Sequence, residues 1–241
     1  MKNAKRSLIG LALAASLGAV AQSAQAQLYW RADLGYSVAA DAGLRDKNFA
    51  TDGLICGDAA CNSGGELKDI GNSPVLSAGV GWRIDPNWRA DVTLAYRGGY
   101  KLDDADALPS NYKADITSTN LMLAGYYDFN AGWGRPYLGA GIGFASNKID
   151  SVVNSGGALG STTVTVPGGT KTGFAWSLMA GVGFPLNPSL TLDLGYRYVD
   201  LGKIESDSGA ISCAPVACPG FTYSGMTGNL RAHELTVGLR F

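Results

Sequence analysis

Apolar and polar side chains alternate with a period of two over several stretches of this chain, and charged residues fall on only one side of the alternation. In the stretch 88–99, one face carries Arg89 and Asp91 and the other carries Val92 and Leu94. Such alternation is typical of β-strands that place one face in an apolar environment. The chain is therefore predicted to be all-β.

We predict eight strands joined by connections of two different lengths. Their approximate spans are Leu28–Ala39, Pro74–Ile84, Trp88–Gly99, Ala114–Phe129, Arg135–Lys148, Thr172–Pro185, Leu190–Gly202 and Arg231–Phe241. Three connections are tight turns, at 85–87, 130–134 and 186–189, and the other four are long and rich in Gly, Ser, Asp and Asn. This asymmetry predicts an antiparallel, up-and-down transmembrane β-barrel with short periplasmic turns and long extracellular loops.

Residues 1–26 have the pattern of a secretory signal peptide that is cleaved on export. Basic side chains precede an apolar run over 8–20, and Ala24-Gln25-Ala26 supplies a cleavage site of small residues. The barrel domain would then be 27–241, with 16 basic and 20 acidic side chains and a formal charge of −4, which is too mild to indicate nucleic acid as a partner. No later run of 18 apolar residues exists, so strands would have to cross a membrane.

The charged face is predicted to line the inside of the barrel. A water-soluble barrel with an apolar interior shows the same periodicity. Glycines on the charged face, such as Gly139 and Gly181, favour a narrow, crowded lumen. An arginine facing lipid near the midplane costs roughly 2–4 kcal/mol, so charges should point inward. The predicted luminal residues are Arg31, Asp33, Arg83, Arg89, Asp91, Arg97, Asp128, Asp193, Arg197, Glu234 and Arg240.

These luminal charges form either a structural ion-pair network or a selectivity filter. We favour the network, because eight strands leave an interior just wide enough to be filled by side chains. A buried charge also needs a partner to persist.

Aromatic residues near the strand ends are predicted to form a belt at each membrane interface, the alternative being an aromatic core stripe. The periplasmic belt would contain Tyr29, Trp30, Trp82, Trp88, Phe129, Trp133, Phe184 and Phe241. The outer belt would include Tyr96, Tyr100, Phe174, Trp176 and Tyr198.

The last strand ends on an aromatic residue after alternating apolar ones, Leu235, Val237, Leu239 and Phe241. Together with 120–129 and 135–143, it resembles the small outer-membrane barrels of OmpA/OmpX type and opacity type, and is most similar to the major outer-membrane antigens of alphaproteobacteria. The resemblance implies export through the periplasm to the Gram-negative outer membrane, contact with its lipid and lipopolysaccharide, and insertion by the barrel-assembly machinery through this strand. With nothing after Phe241, no periplasmic peptidoglycan-binding domain is expected.

The four cysteines form two local pairs in an oxidising compartment. We predict disulfides between Cys56 and Cys61 in the first outer loop and between Cys213 and Cys218 in the fourth. The two other pairings remain alternatives, as does a zinc site made of cysteines from both loops.

No catalytic residue, cofactor or metal ion is predicted. His233, the only histidine, should point outward near the extracellular rim, and Leu235 stands where the His-x-Ser pair of lipid A deacylases of similar shape would need serine. The acidic run 103–106 lacks the glycine and distal glutamate of a calcium loop. The resemblance implies no single activity. We predict a non-enzymatic protein that stabilises the envelope and presents loops to a host or cell-surface ligand; a narrow pore and a lipid A-modifying enzyme are the alternatives.

Overall fold

The computed structural model describes residues 27–156, 160–215, 217 and 220–241, so the predicted signal peptide at 1–26 lies outside the described residues. In chain order the strands are β1 Gln27–Asp41, β2 Arg45–Asp46, β3 Asn72–Arg83, β4 Trp88–Ala105, β5 Ser110–Asp128, β6 Arg135–Ile149, β7 Val152–Gly156, β8 Thr163–Val166, β9 Gly169–Asn187, β10 Leu190–Glu205, β11 Gly209–Ala210, β12 Ser212–Ala214, β13 Thr222–Tyr223 and β14 Met226–Arg240. One helical turn covers Phe49–Asp52. None of the helical structure in these ranges is long and apolar enough to cross a membrane.

The eight long strands pair side by side into a closed ring. Its order is β1, β3, β4, β5, β6, β9, β10 and β14, all antiparallel, and β14 pairs with β1 to complete it. At the closure Arg31 lies opposite Arg240, and the backbones of Trp30 and Phe241 exchange hydrogen bonds of 2.7 and 2.9 Å. Because the ring closes, each of these strands has a partner on both sides, which removes exposed sheet edges.

Along the ring, apolar side chains point outward and charged side chains point inward. Leu34 and Leu235 are 66% and 67% exposed, whereas Asp91 and Arg97 are completely buried. A soluble barrel would show the reverse, because its apolar set would form the core. The outside of the ring therefore needs an apolar surrounding.

Two aromatic residues predicted for the belts lie inside the ring, so that part of the prediction is wrong. Tyr100 is fully buried because the pairing of β4 with β5 shifts between Arg97 and Tyr100, and the shift reverses which face each later residue of β4 occupies. Tyr29 lies two residues before Arg31 and therefore has the same parity, which means that both side chains lie on the same face of β1. The Tyr29 hydroxyl donates to the carboxylate of Asp91. Parity alone would have placed Tyr29 inside.

Strands β4 and β5 continue as a hairpin well beyond their predicted ends. Residues 100–113 were expected to form a loop, but Lys101 pairs with Asp115 and the ladder runs on to Ala105. The connection shrinks to 106–109, where Asp106 Oδ1 accepts the backbone N–H groups of Leu108 and Ser110 at 2.9 and 3.1 Å. This side-chain turn closes the hairpin without a long loop. We call residues 101–114 the hairpin arm.

Candidate functional site

The half of the interior near the short turns contains a continuous network of ion pairs. Arg31 donates to Asp33 at 2.8 Å and to Asp91 at 2.6 Å. Arg89 donates to Asp128 at 3.0 Å and lies 3.4 Å from Asp91, so Asp91 joins the two arginines. All five side chains are almost fully buried. Charge-assisted bonds of this kind are the strong ones, since each guanidinium donates to more than one carboxylate oxygen.

A second group of charges centres on Glu234, midway along the ring. Its Oε1 accepts from Arg97 at 2.5 Å and its Oε2 from Arg197 at 2.6 Å. Ser37 donates to the same carboxylate at 3.0 Å, and Arg97 also donates to Asn120 at 2.6 Å. Glu234 is fully buried and thus depends on these donors in place of water.

Charges inside the ring cancel. Arg240 pairs with Asp193 at 2.5 Å, and the pairs together contain five arginines and five carboxylates: Arg31, Arg89, Arg97, Arg197, Arg240, Asp33, Asp91, Asp128, Asp193 and Glu234. Arg83, the eleventh predicted luminal residue, forms no ion pair with any described residue. It lies half-buried at the mouth of the ring where the short turns lie. A filter that selects one sign of ion would carry an excess of the opposite sign.

Glycines give the luminal side chains their space. A Cβ added at Gly139 would collide with the ring of Tyr126, and one added at Gly183 would collide with the guanidinium of Arg240. The Tyr126 ring in turn lies 3.8 Å from the Arg89 guanidinium carbon, a cation–π contact. The cavity that remains between Arg31, Tyr126 and their neighbours measures about 20 Å³, room for about one water molecule.

An apolar core fills the other end of the ring, beneath the long connections. Its members on the ring strands include Tyr100, Ile116, Ile149, Val199 and Leu230, and its members on the connections include Leu44, Ile55, Leu67, Ile70, Val152, Val164 and Tyr223. The sequence prediction treated the whole lumen as polar and missed this core. The sequence did contain a signal for this core, because the apolar residues Val199 and Leu201 lie on the same inward face of β10 as Arg197.

The carboxylate of Asp46 ties the first long connection to the fourth. Its Oδ2 accepts the backbone N–H groups of Leu54 and Ile55, both at 2.9 Å, and its Oδ1 accepts the hydroxyl of Tyr223. Burial raises the pKa of the Asp46 carboxyl, and the three donors oppose that rise. Burial and the charge of Asp46 also raise the pKa of Tyr223, which keeps its hydroxyl a donor.

Further bonds join the remaining connections into one surface. Asp106 Oδ2 accepts from the backbone N–H of Cys56 at 3.2 Å and from the hydroxyl of Tyr112 at 3.0 Å, which links the hairpin arm to the first connection. Strand β12 of the fourth connection pairs with β8 of the third. We call the described residues of 42–71, 150–168 and 206–225, together with the hairpin arm, the cap.

The structure places the cysteines in the cap. Cys56 and Cys61 form a disulfide that closes a six-residue ring in the first connection. Cys213 is also a disulfide cysteine, and Cys218 lies outside the described residues. Because Cys56 and Cys61 form a disulfide, their sulfur atoms are not available as thiolate ligands for the alternative zinc site. The described part of the chain holds no cluster of three or more His, Cys, Asp or Glu suited to a metal ion.

His233 belongs to an aromatic cluster on the outside of the ring. Its Nδ1 lies 2.6 Å from the Tyr196 hydroxyl. Its ring stacks on Tyr196 at a centroid distance of 6.0 Å and is tilted against Tyr198 at 5.2 Å. Such amphipathic rings suit a membrane interface. Along the same strand Leu235, Val237, Leu239 and Phe241 all point outward, with 67%, 54%, 41% and 58% of their surface exposed.

The profile of the family described as "outer membrane protein beta-barrel domain" matches residues 9–241. The chain belongs to this family. This outer membrane β-barrel protein is therefore located in the outer membrane of Gram-negative bacteria, where lipid supplies the surrounding that its apolar outside needs.

Relatives and a solved structure extend the comparison. A protein of Rickettsia massiliae (strain Mtu5), named as a candidate adhesin, is 30% identical over 190 residues, which cover 74% of this chain and 78% of the relative. Outer membrane protein PagN of Salmonella typhimurium (strain LT2) is 28% identical over 124 residues, or 51% and 50% of the two chains. Outer membrane protein OprG of Pseudomonas aeruginosa superposes with a TM-score of 0.53 at 12% identity, covering 90% of this chain and 98% of OprG, and shares the fold.

Proposed function

We propose that the mature protein, residues 27–241, spans the outer membrane as an eight-stranded up-and-down β-barrel. The ring and its apolar outside support this topology, and removal of residues 1–26 would accompany export. The short turns would lie in the periplasm and the cap outside the cell. The barrel-assembly machinery would recognise the outward side chains Leu235, Val237, Leu239 and Phe241. The aromatic cluster at His233 would contact lipopolysaccharide at the outer interface.

We propose that this barrel is a non-enzymatic surface protein that stabilises the envelope and presents the cap to a ligand on a host or neighbouring cell. The observation that carries the proposal is the interlocked cap, in which Asp46, Asp106 and the pairing of β8 with β12 fix the long connections to one another. A surface that is ordered before binding loses less conformational entropy when it binds. The Rickettsia relative that is named as a candidate adhesin supports the same function.

The exposed Phe221 in the fourth connection is a suitable anchor for such a ligand, since it is 64% exposed and aromatic side chains dominate interface energetics. We expect Phe221→Ser to reduce, by about tenfold, the adherence that the displayed protein confers on a non-adherent bacterium. Adherence is counted on cultured epithelial cells, with surface display matched by labelling.

A matched control for Phe221→Ser is Trp133→Ser. Trp133 is also an exposed aromatic residue, at 67%, but it lies on a short turn at the opposite end of the ring. The Trp133→Ser variant should leave adherence unchanged. If the wild-type protein raises adherence no more than an empty vector does, the adhesion proposal is wrong.

A conducting pore is the weaker candidate, because two separate groups of side chains fill the interior. The ion-pair network leaves a cavity of about 20 Å³, and the apolar core closes the ring above it. We expect no discrete conductance steps from the wild-type protein in a planar bilayer. Arg97→Ala should also stay closed, because it opens only the network and leaves the apolar core in place. Discrete steps from the wild-type protein would favour the pore instead.

A further inference from the structure

Three arginines converge at the mouth of the ring where the short turns lie. Arg83 ends β3, Arg135 begins β6 and Arg240 ends β14, and all three line one cavity of about 280 Å³. Arg83 and Arg240 are among the predicted luminal residues, and Arg135 is not. Arg135 has the same parity as Tyr137 and Gly139, which face inward.

Each of these arginines has a buried N–H donor without a partner among the described residues. The atoms are Nε of Arg83, Nη1 of Arg135 and Nη2 of Arg240. Buried donors in folded proteins are almost always satisfied, and a guanidinium cannot lose its proton to avoid the cost. Water would satisfy the hydrogen bonds but not the charges.

The side chains at this mouth carry an excess of positive charge that the side chains in the rest of the interior do not. Arg240 is neutralised by Asp193, but neither Arg83 nor Arg135 forms an ion pair with a described residue. The other side chains that line the cavity are uncharged: Gln27, Leu28, Tyr29, Pro185, Asn187, Pro188, Ser189, Thr191 and Phe241.

An adjoining cavity of about 440 Å³ has one acidic side chain among its described lining residues. This residue, Asp85, shares that cavity with Arg83 and Arg135, but its Oδ1 accepts the backbone N–H groups of Asn87 and Trp88 at 2.7 and 2.8 Å. The Asp85 carboxylate stabilises the turn and forms no ion pair with Arg83 or Arg135.

We propose that this arginine mouth binds a phosphate group. Guanidinium groups present planar, paired donors that match the geometry of phosphate oxygens, and two unpaired arginines can together balance the charge of a phosphate. The phosphate could belong to a soluble molecule or to a lipid headgroup. Leu28 and Phe241 rim the cavity and are 53% and 58% exposed on the outside of the ring, so a headgroup in the adjacent leaflet can reach it.

The test uses the full mature protein folded in an uncharged detergent and inorganic phosphate as the probe. Phosphorus NMR line broadening measures binding at constant ionic strength set with chloride. We expect Arg83→Gln combined with Arg135→Gln to weaken phosphate binding by about tenfold or more, because charge-assisted hydrogen bonds are lost. Arg83→Lys with Arg135→Lys should retain most of the binding, because the charge remains.

Two further variants bracket the result. Asp85→Asn should tighten binding by about two- to threefold, since it removes the nearby negative charge and keeps the oxygen that accepts the turn hydrogen bonds. Arg45→Gln, at a 64% exposed site in the cap, should have no effect. Circular dichroism and thermal unfolding show whether each variant folds. Equal broadening in the wild type and in a folded double Gln variant, or none in either, would overturn the proposal.

Bilayers of two compositions distinguish the sources of the phosphate. The protein is placed in nanodiscs of phosphatidylcholine or of phosphatidylglycerol, and the phosphate titration is repeated. If binding persists in both, the natural ligand is soluble. If a bilayer of either lipid abolishes the binding that the wild type shows in uncharged detergent, a lipid headgroup occupies the mouth.

Discussion

Replacing Glu234 with alanine is expected to lower the free energy of unfolding by about 3–5 kcal/mol, the usual cost of removing one member of a buried ion pair. Glu234 is the only carboxylate within ion-pair distance of Arg97 or Arg197 among the described residues, and it and Arg97 are fully buried. Without it, two positive charges would face each other in an interior that otherwise balances.

Urea unfolding of the protein in lipid vesicles, followed by tryptophan fluorescence, measures this loss. Glu66→Ala is the matched control, because Glu66 also contacts two cations, Arg45 and Lys68, but at 3.8 and 3.9 Å and on an exposed surface. Exposed pairs of this kind contribute about 0–1 kcal/mol. If the two variants lose stability equally, the network is not a buried structural element.

Introducing an arginine at Leu123 is expected to cost about 2–4 kcal/mol, because that position faces the middle of the apolar band. Leu123 is 53% exposed on the outside of the ring and pairs with Val92. Val92 lies midway between Trp88 and Tyr96, whose outward rings mark the two ends of the band on β4. The side chain would have to place its charge in hydrocarbon or distort the strand.

Leu186→Arg provides the depth control for this experiment. Leu186 is 57% exposed as well, but it lies beside the short turn between β9 and β10, where an arginine reaches water. Its expected cost is about 0–1 kcal/mol in the same unfolding measurement. Equal costs at both depths would contradict a transmembrane barrel and favour a water-soluble ring.

Much of the ring could be predicted from the sequence, because parity along a strand is a local property. The faces of Asp91, Arg97 and Leu94 follow directly from period two, whatever the partner strands are. Which charges meet does not follow. Arg97 and Glu234 are 137 residues apart, and their contact exists only because the ring closes through β1 and β14. Parity also failed at Tyr100, where the shifted register of β4 reverses the faces.

The cap could not be predicted for a different reason. Leu44, Ile55, Leu67 and Ile70 are scattered among Gly, Ser, Asp and Asn without a period, so no pattern distinguishes them from solvent-exposed loop residues. Their burial depends on contacts with inward residues of distant strands. The acceptor role of Asp46 is equally non-local, since Tyr223 is 177 residues away.

The length of β4 has a consequence for where a ligand would first meet the cell. A strand of 18 residues tilted by about 45° rises about 40 Å, some 15 Å more than the apolar band of about 25 Å. In the proposed orientation, with the cap outside the cell, the hairpin arm would stand above the lipid headgroups. A ligand would therefore meet the hairpin arm before it reaches the lipid headgroups.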